Sequence, residues 1–234
     1  MLDQFASRSY QPERLDTGDY TPEEYSRWHR EMKVIHRVFG EIRALRSALV
    51  PELNAFDRHN VSILDIGAGS GEILREIYRW VTGWNSFLVG AELNPEAART
   101  IKYNSLSHEI KVLQCDALRL PFADSSFDFV FCSLFMHHFT DEKSVELLRE
   151  MSRVARRRIF VIDLHRSVIA YYFFRVASRL LLQRFTREDG ALSILRSFRP
   201  NEMEHLATQA NLTDVVVRRS WAYRLVLSGM KNDV

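Results

Sequence analysis

Residues 63–72 read ILDIGAGSGE, and this run decides how the rest of the chain is read. The apolar residues of a buried strand lead into Gly67, Ala68, Gly69 and Gly71, and a helical pattern follows. Glycines at these points let the backbone turn sharply and approach a ligand closely, while the start of the helix offers unpaired N–H groups to an anion. Several classes of nucleotide-binding protein share a glycine-rich turn, so spacing has to separate them. The dinucleotide fingerprint calls for a third glycine where this chain has Glu72, and a carboxylate, Asp65, stands ahead of the turn.

On either side of this run the chain alternates. Short apolar segments, VSILDI, SFLVGAE, IKVLQC, FDFVFCS and RIFVID, are separated by stretches of helix length. That pattern predicts an α/β fold, a doubly wound and mostly parallel seven-stranded sheet with helices on both faces. FRPNEMEHLATQA reads as a late helix, and TDVVVRRS with YRLVLSG as a closing pair of strands. Ahead of the sheet, residues 1–20 lack periodic apolar positions and form an irregular arm. Thr21, Pro22 and Glu24 then spell a capping box with proline in the first helical position. Gly40 and Pro51 set EIRALRSALV apart from its neighbours. The organisation expected is an N-terminal arm and helical cap over 1–58, and the sheet domain over 59–234.

The 234 residues are 46% hydrophobic, enough for a substantial core. Lys and Arg number 32 against 30 Asp and Glu, a balance too even to point to nucleic acid. Cys115 and Cys132 lie inside apolar runs, which argues against a disulfide framework or a cysteine zinc site. The start MLDQFASRSYQ lacks the basic-then-apolar layout of a leader, and no uncharged stretch approaches the length that spans a bilayer, so a cytoplasmic location is expected.

Three further positions fall in order after the glycine loop. VGAELNPE places Glu92 and Leu93 about one βα unit on, where a carboxylate can accept both hydroxyls of a ribose. QCDALRLPF places Asp116 and Ala117 after the third strand, and FVFCSLFMHHFTDE, residues 129–142, places Ser133 and Leu134 after the fourth. With Asp65 ahead of the glycines, this set resembles the class I S-adenosylmethionine-dependent methyltransferases, in particular the UbiE-like small-molecule enzymes. The resemblance covers about residues 60–165. It implies S-adenosyl-L-methionine as cofactor, with Asp116 and Ala117 at the adenine and the Ser133–Leu134 backbone beside the methionine moiety. Many relatives carry a Pro-Gly-Gly turn before the fifth strand, and here RVARRRIFVID replaces it with a shorter basic connection.

The adjacent His137 and His138 admit three roles. Neighbours in a helical turn point about 100° apart, so the pair is a poor chelate and no metal site is expected. Packing is open to one of them, because Phe135, Met136 and Phe139 surround the pair. Location favours catalysis: the loop after the fourth strand lies at the carboxyl edge of the sheet, where methyltransferases of this kind often place a histidine base. Asp163 and His165 in VIDLHRS end the fifth strand on that edge, and an aspartate there can orient a histidine.

The Pro-Pro-aromatic motif of nucleic-acid and glutamine amino methyltransferases is missing, as is the paired-glutamate loop of protein arginine methyltransferases. The acceptor expected is therefore a small molecule, aromatic or polyketide-like, methylated on oxygen or carbon. The alternatives are a peripheral membrane enzyme acting on a lipid or quinone, and a cofactor-binding scaffold subunit. SVIAYYFFRVASRLLLQRF, residues 167–185, is expected to be one long inserted helix. It reads first as a core or homodimer-interface helix, then as the wall of a lipophilic acceptor pocket, then as a membrane-surface helix. Its run Tyr171, Tyr172, Phe173 and Phe174 covers every direction of a turn, so at least one aromatic should face the site. The arm with Tyr10, Arg14 and Tyr20 is placed to close over it.

Overall fold

The computed structural model describes residues 3–55, 60–105 and 110–232. Strands β1 (Asn60–Ile66), β2 (Asn85–Glu92), β3 (Lys111–Gln114), β4 (Phe127–Ser133) and β5 (Ala155–Leu164) run parallel. With β6 (Thr213–Ser220) and β7 (Arg224–Met230) they form a seven-stranded sheet of order β3-β2-β1-β4-β5-β7-β6, in which β7 is antiparallel to both neighbours. The chain winds away from β1 in one direction and from β4 in the other. The crevice at their carboxyl ends is where such sheets take ligands.

Strand residues alternate between two buried faces, which is why these segments read as continuous apolar runs. Phe129, Phe131, Phe160 and Ile162 pack toward α3 (Glu41–Asn54), α4 (Glu72–Trp80) and α5 (Pro95–Asn104). Val130, Cys132 and Val161 pack toward α6 (Asp141–Val154) and α9 (Pro200–Gln209). Helix α3 presents Ala44, Leu45, Leu49 and Leu53 to the sheet, so this part of the region expected as a cap is a layer of the main core. The expected boundary between 58 and 59 falls in 56–59, outside the described residues.

Three local expectations are corrected. Pro51 does not end the second helix: it lies inside α3, near its end at Asn54, and the helix gives up the one bond that residue 51 would have donated to the Ser47 carbonyl. The basic connection before the fifth strand is no loop: α6 ends at Val154 and β5 begins at Ala155. Nor is 167–185 one helix. It breaks into α7 (Val168–Leu181) and α8 (Arg184–Arg196) at Leu182 and Gln183. Helix α2 (Pro22–Val38) draws Gln183 out of the helical path: its Glu31 carboxylate accepts from the Gln183 backbone N–H at 3.1 Å, and the Glu24 carbonyl accepts from its Nε2 at 2.8 Å. The capping box of α2 forms as read, with Thr21 Oγ1 accepting from the Glu24 N–H at 3.2 Å and Glu24 Oε2 from the Thr21 N–H at 3.0 Å.

The arm carries a short helix, α1 (Arg14–Thr17), whose first N–H groups are capped from outside: Asp189 accepts from Arg14 N at 3.0 Å and from Leu15 N at 2.9 Å. Arg8, buried at 7% exposure, donates to the Arg196 carbonyl at 2.7 Å and to the Phe139 carbonyl at 3.0 Å. The arm is thus tied to the β4–α6 loop and to α8. Among the described residues no helix is long and apolar enough to cross a membrane.

Candidate active site

The glycine loop leaves β1 through three left-handed residues, Gly67 (φ 68°), Gly69 (φ 54°) and Gly71 (φ 73°). Gly67 has no alternative, because a Cβ there would stand 2.4 Å from Phe135 Cδ2. Around Gly69 the space is open, with nothing within 4 Å of a Cβ position. Glu92, at the end of β2, accepts from Gly69 N at 2.8 Å and Asn94 N at 2.9 Å, which fixes its carboxylate over the loop. Behind it Asp65 is wholly buried, and burial first, then the charges of Glu41 and Glu92, push its carboxyl well above the usual range. Three carboxyl groups crowded at one strand end favour a ligand that brings positive charge. The sulfonium and ammonium of S-adenosylmethionine meet that demand, so the residues present fit the cofactor.

Glu92, Leu93, Asp116 and Ala117 line a single cavity of about 1540 Å³, and so do Gly67, Gly69, Ser133 and Leu134. Asp65, Ala68 and Gly71 stand behind the loop and shape it. Leu134 holds a left-handed φ of 48°, a conformation that costs an L residue about 1–2 kcal/mol, and its N–H is anchored on the Ile162 carbonyl at 2.8 Å. The strained turn carries the chain across the crevice beside the glycine loop. A drug-sized ligand fills about 300–1,000 Å³, so this cavity has room for a cofactor and an acceptor together.

His137 lies on the acceptor side, at 3% exposure. Its Nδ1 is 2.7 Å from Asp163 Oδ1, and its backbone N–H donates to Asp163 Oδ2 at 3.0 Å. Burial works against the Asp163 charge, but the charge of His137 and hydrogen bonds from His137 and Leu164 hold its carboxyl below the usual range. A carboxylate beside Nδ1 can only accept, so Nδ1 is the donor of this pair and Nε2 is the ring nitrogen turned away from Asp163. That nitrogen faces Glu13 Oε1 of the arm at 3.7 Å. Burial pushes the Glu13 carboxyl up to about 7, against the lowering effect of His138 and Arg196. His138 turns to the arm instead, its Nδ1 2.7 Å from Asp16 Oδ1.

The expectation that the two histidines diverge is corrected. Their rings lie 4.3 Å apart, because carboxylates on β5 and the arm draw both to one side of a 3₁₀ turn. One donor atom from each of Glu13, His137 and His138 lies within 4.8 Å of the others. Arg196 Nε stands 3.8 Å from the same Glu13 oxygen, and its Nη1 pairs with Asp16. A guanidinium thus adjoins both carboxylates of the cluster. His165 stands apart from this cluster, its ring stacked on Tyr223 at 6.4 Å. Burial, then Arg219, Arg166 and Arg199, lower its pKa.

Of the arm residues expected at the site, Tyr10 lines the cavity, whereas Arg14 packs on Phe185 and Tyr20 stacks between Tyr25 and Phe185. Sequence reasoning missed Glu13, Asp16 and Arg196. The i, i+3 spacing of the two acids in PERLD was the available signal, and nothing local marks it as functional. Of the four aromatics of α7, Phe173 and Phe174 line the cavity, and Tyr171 is buried edge-on against Phe5 at 5.3 Å.

Residues 63–158 match the family model described as "Methyltransferase domain". The ubiquinone/menaquinone biosynthesis C-methyltransferase UbiE of Hahella chejuensis is 34% identical over 103 residues, 42% of this chain and 40% of that one. The demethylmenaquinone methyltransferase of Porphyromonas gingivalis is 26% identical over 190 residues, 76% of this chain and 74% of that one. Among solved structures, the magnesium protoporphyrin IX methyltransferase of Synechocystis PCC 6803 with bound SAH superposes with a TM-score of 0.64 at 12% identity, over 90% of this chain and 95% of that one. A SAM-dependent methyltransferase of Aquifex aeolicus gives 0.57 at 18% identity, over 78% and 88%. Fold, glycine loop and the domain matched over residues 63–158 together support a class I S-adenosylmethionine-dependent methyltransferase. S-adenosyl-L-methionine is its cofactor and methyl donor.

Proposed function

We propose that the acceptor is a small lipophilic ring bearing a hydroxyl group, of the hydroquinone or phenol type, and that the methyl group goes to a ring carbon activated by loss of the hydroxyl proton. The observation that carries this reading is the buried Asp163–His137 pair at the wall of a largely apolar cavity. The names of the two relatives, both quinone-pathway methyltransferases, support the choice of ring.

The cofactor supplies a methyl group already activated by its sulfonium, so the chain has to orient, desolvate and remove one proton. Glu92 is placed to hold the ribose, Asp116 and Ala117 the adenine, and the Ser133–Leu134 turn the methionine moiety. His137 Nε2 takes the proton of the acceptor hydroxyl, which raises electron density at the adjacent ring carbons; once one of these bears the methyl group, its own hydrogen leaves as a proton and the ring regains its hydroxyl, so one proton is released in all. Asp163 keeps Nδ1 protonated and stabilises the imidazolium that forms. Glu13, 3.7 Å from Nε2, stands where it can receive that proton in turn. Phe173 and Phe174 give the acceptor side an apolar wall.

The test is turnover with methyl-labelled cofactor against alkyl hydroquinones, alkyl resorcinols and polar catechols, with the methylated atom located by NMR. Carbon methylation of the alkylated rings is expected. Oxygen methylation alone would overturn the choice of atom, and turnover confined to polar acceptors would overturn the choice of ring.

A further inference from the structure

Helix α7 is inverted relative to an ordinary surface helix. Ile169, Phe173, Val176 and Leu180, at i, i+4, i+7 and i+11, form one stripe, and they are 67%, 62%, 69% and 89% exposed. Leu181 adds a further 77% exposed side chain at the end. The buried side is the less apolar one, with Ala170, Tyr171 and Ser178. Single exposed apolar residues are ordinary on proteins, but a continuous stripe about three turns long marks a surface that something else covers. At 100° per residue, Arg175 and Arg179 stand on one flank of the stripe, with Arg175 Nη1 donating to Tyr171 Oη at 3.2 Å, and α7 contains no acidic residue.

We infer that α7 is a membrane-surface helix, which lays its apolar stripe into the headgroup boundary of an anionic bilayer while Arg175 and Arg179 meet the lipid phosphates. The combination of a solvent-facing apolar stripe and a purely basic flank is what interfacial helices use, since the long arginine stems lie along the apolar layer with the charge in the headgroups. A second copy of the chain fits less well. An antiparallel two-fold contact through this helix would bring two arginine flanks together, and α7 offers no carboxylate to pair them.

The stripe also leads somewhere. Ile169 and Phe173 are exposed at the surface and line the cavity as well. A lipophilic acceptor dissolved in the bilayer can therefore pass into the site along a continuous apolar wall. This last step rests on the acceptor proposed above, whereas binding to the bilayer does not.

The experiment is cosedimentation of the full chain with vesicles of phosphatidylcholine alone and of phosphatidylcholine with phosphatidylglycerol, without any acceptor. The wild type is expected to bind the anionic vesicles, more weakly as salt rises. The double variant Val176→Ser/Leu180→Ser, which touches no cavity-lining residue, should lose at least about tenfold in partitioning, and Arg179→Gln should lose about three- to tenfold on anionic vesicles only. The double variant should keep wild-type turnover on a short-chain, water-soluble hydroquinone and lose it on a long-chain one held in vesicles. No binding of the wild type, or equal binding by the double variant, overturns the inference, and so does a dimer in sedimentation velocity that the double variant dissociates. Inactivity on both hydroquinones with vesicle binding intact would refute the acceptor reading and leave the membrane surface standing.

Discussion

Replacing Asp163 by Asn tests the core of the site with a change of one heavy atom. Every hydrogen bond recorded for this carboxylate comes from a donor: His137 Nδ1 and Leu164 N reach Oδ1, each at 2.7 Å, and His137 N reaches Oδ2 at 3.0 Å. An amide can keep its oxygen at one of these positions only. The less costly orientation leaves oxygen at Oδ1 and turns the NH2 group against the His137 N–H. One buried backbone donor is then unsatisfied, at a cost of about 1–3 kcal/mol, or a fall in melting temperature of about 2–12 °C for a chain of this size. The larger effect is electrostatic. The imidazolium formed during turnover loses its ionised partner, and most of the base's contribution, about 10²- to 10⁴-fold in kcat, should go with it. Asp163 does not reach the cofactor, so calorimetric affinity for S-adenosylhomocysteine should stay within about threefold. Acceptor KM should move far less than kcat. A variant with nearly full kcat but the lowered melting temperature would refute the positioning role and reduce Asp163 to a structural acceptor.

Other outcomes follow from the same geometry. Glu92→Ala should weaken S-adenosylhomocysteine about 10- to 150-fold by calorimetry, the worth of one charge-assisted hydrogen-bonding group, and unchanged affinity would remove the ribose role. Gly67→Ala should abolish measurable cofactor binding, because its Cβ meets Phe135 at 2.4 Å in a left-handed backbone; retention of wild-type affinity would show that the loop adapts. Glu13 titrates at about 7 when folded against 4.5 normally, so the native chain holds the extra proton in that interval. Stability should accordingly fall as pH rises from about 4.5 to 7, by about 3 kcal/mol, and thermal melts of Glu13→Gln should lack this slope. An unchanged slope would assign it to other groups.

How much of this was legible depended on the range of the interactions. The strands were readable because a parallel sheet covered on both faces demands uninterrupted apolar runs, as in FDFVFCS. The glycine loop was readable because Gly67 and Gly71 are dictated by backbone angles and by atoms, Phe135 and Ile101, that leave no room for a side chain. Asp163 could be matched to a histidine because both lie at the same sheet edge. The break at Gln183 was hidden, since the α2 carboxylate and carbonyl that cause it lie 152 and 159 residues away. Glu13 was hidden for a similar reason. Its functional character comes from burial between Ser193, Arg196 and His137, none of which its own neighbourhood announces.

The central claim is that His137 is the base of methyl transfer to a hydroxylated ring. The most direct measurement is turnover of His137→Ala on an alkyl hydroquinone, with and without added imidazole. The account predicts a loss of about 10²- to 10⁴-fold, partial recovery with imidazole, and cofactor affinity close to that of the wild type. Wild-type turnover by the variant, or a loss that imidazole leaves untouched and that is accompanied by equal loss of cofactor binding, would contradict it.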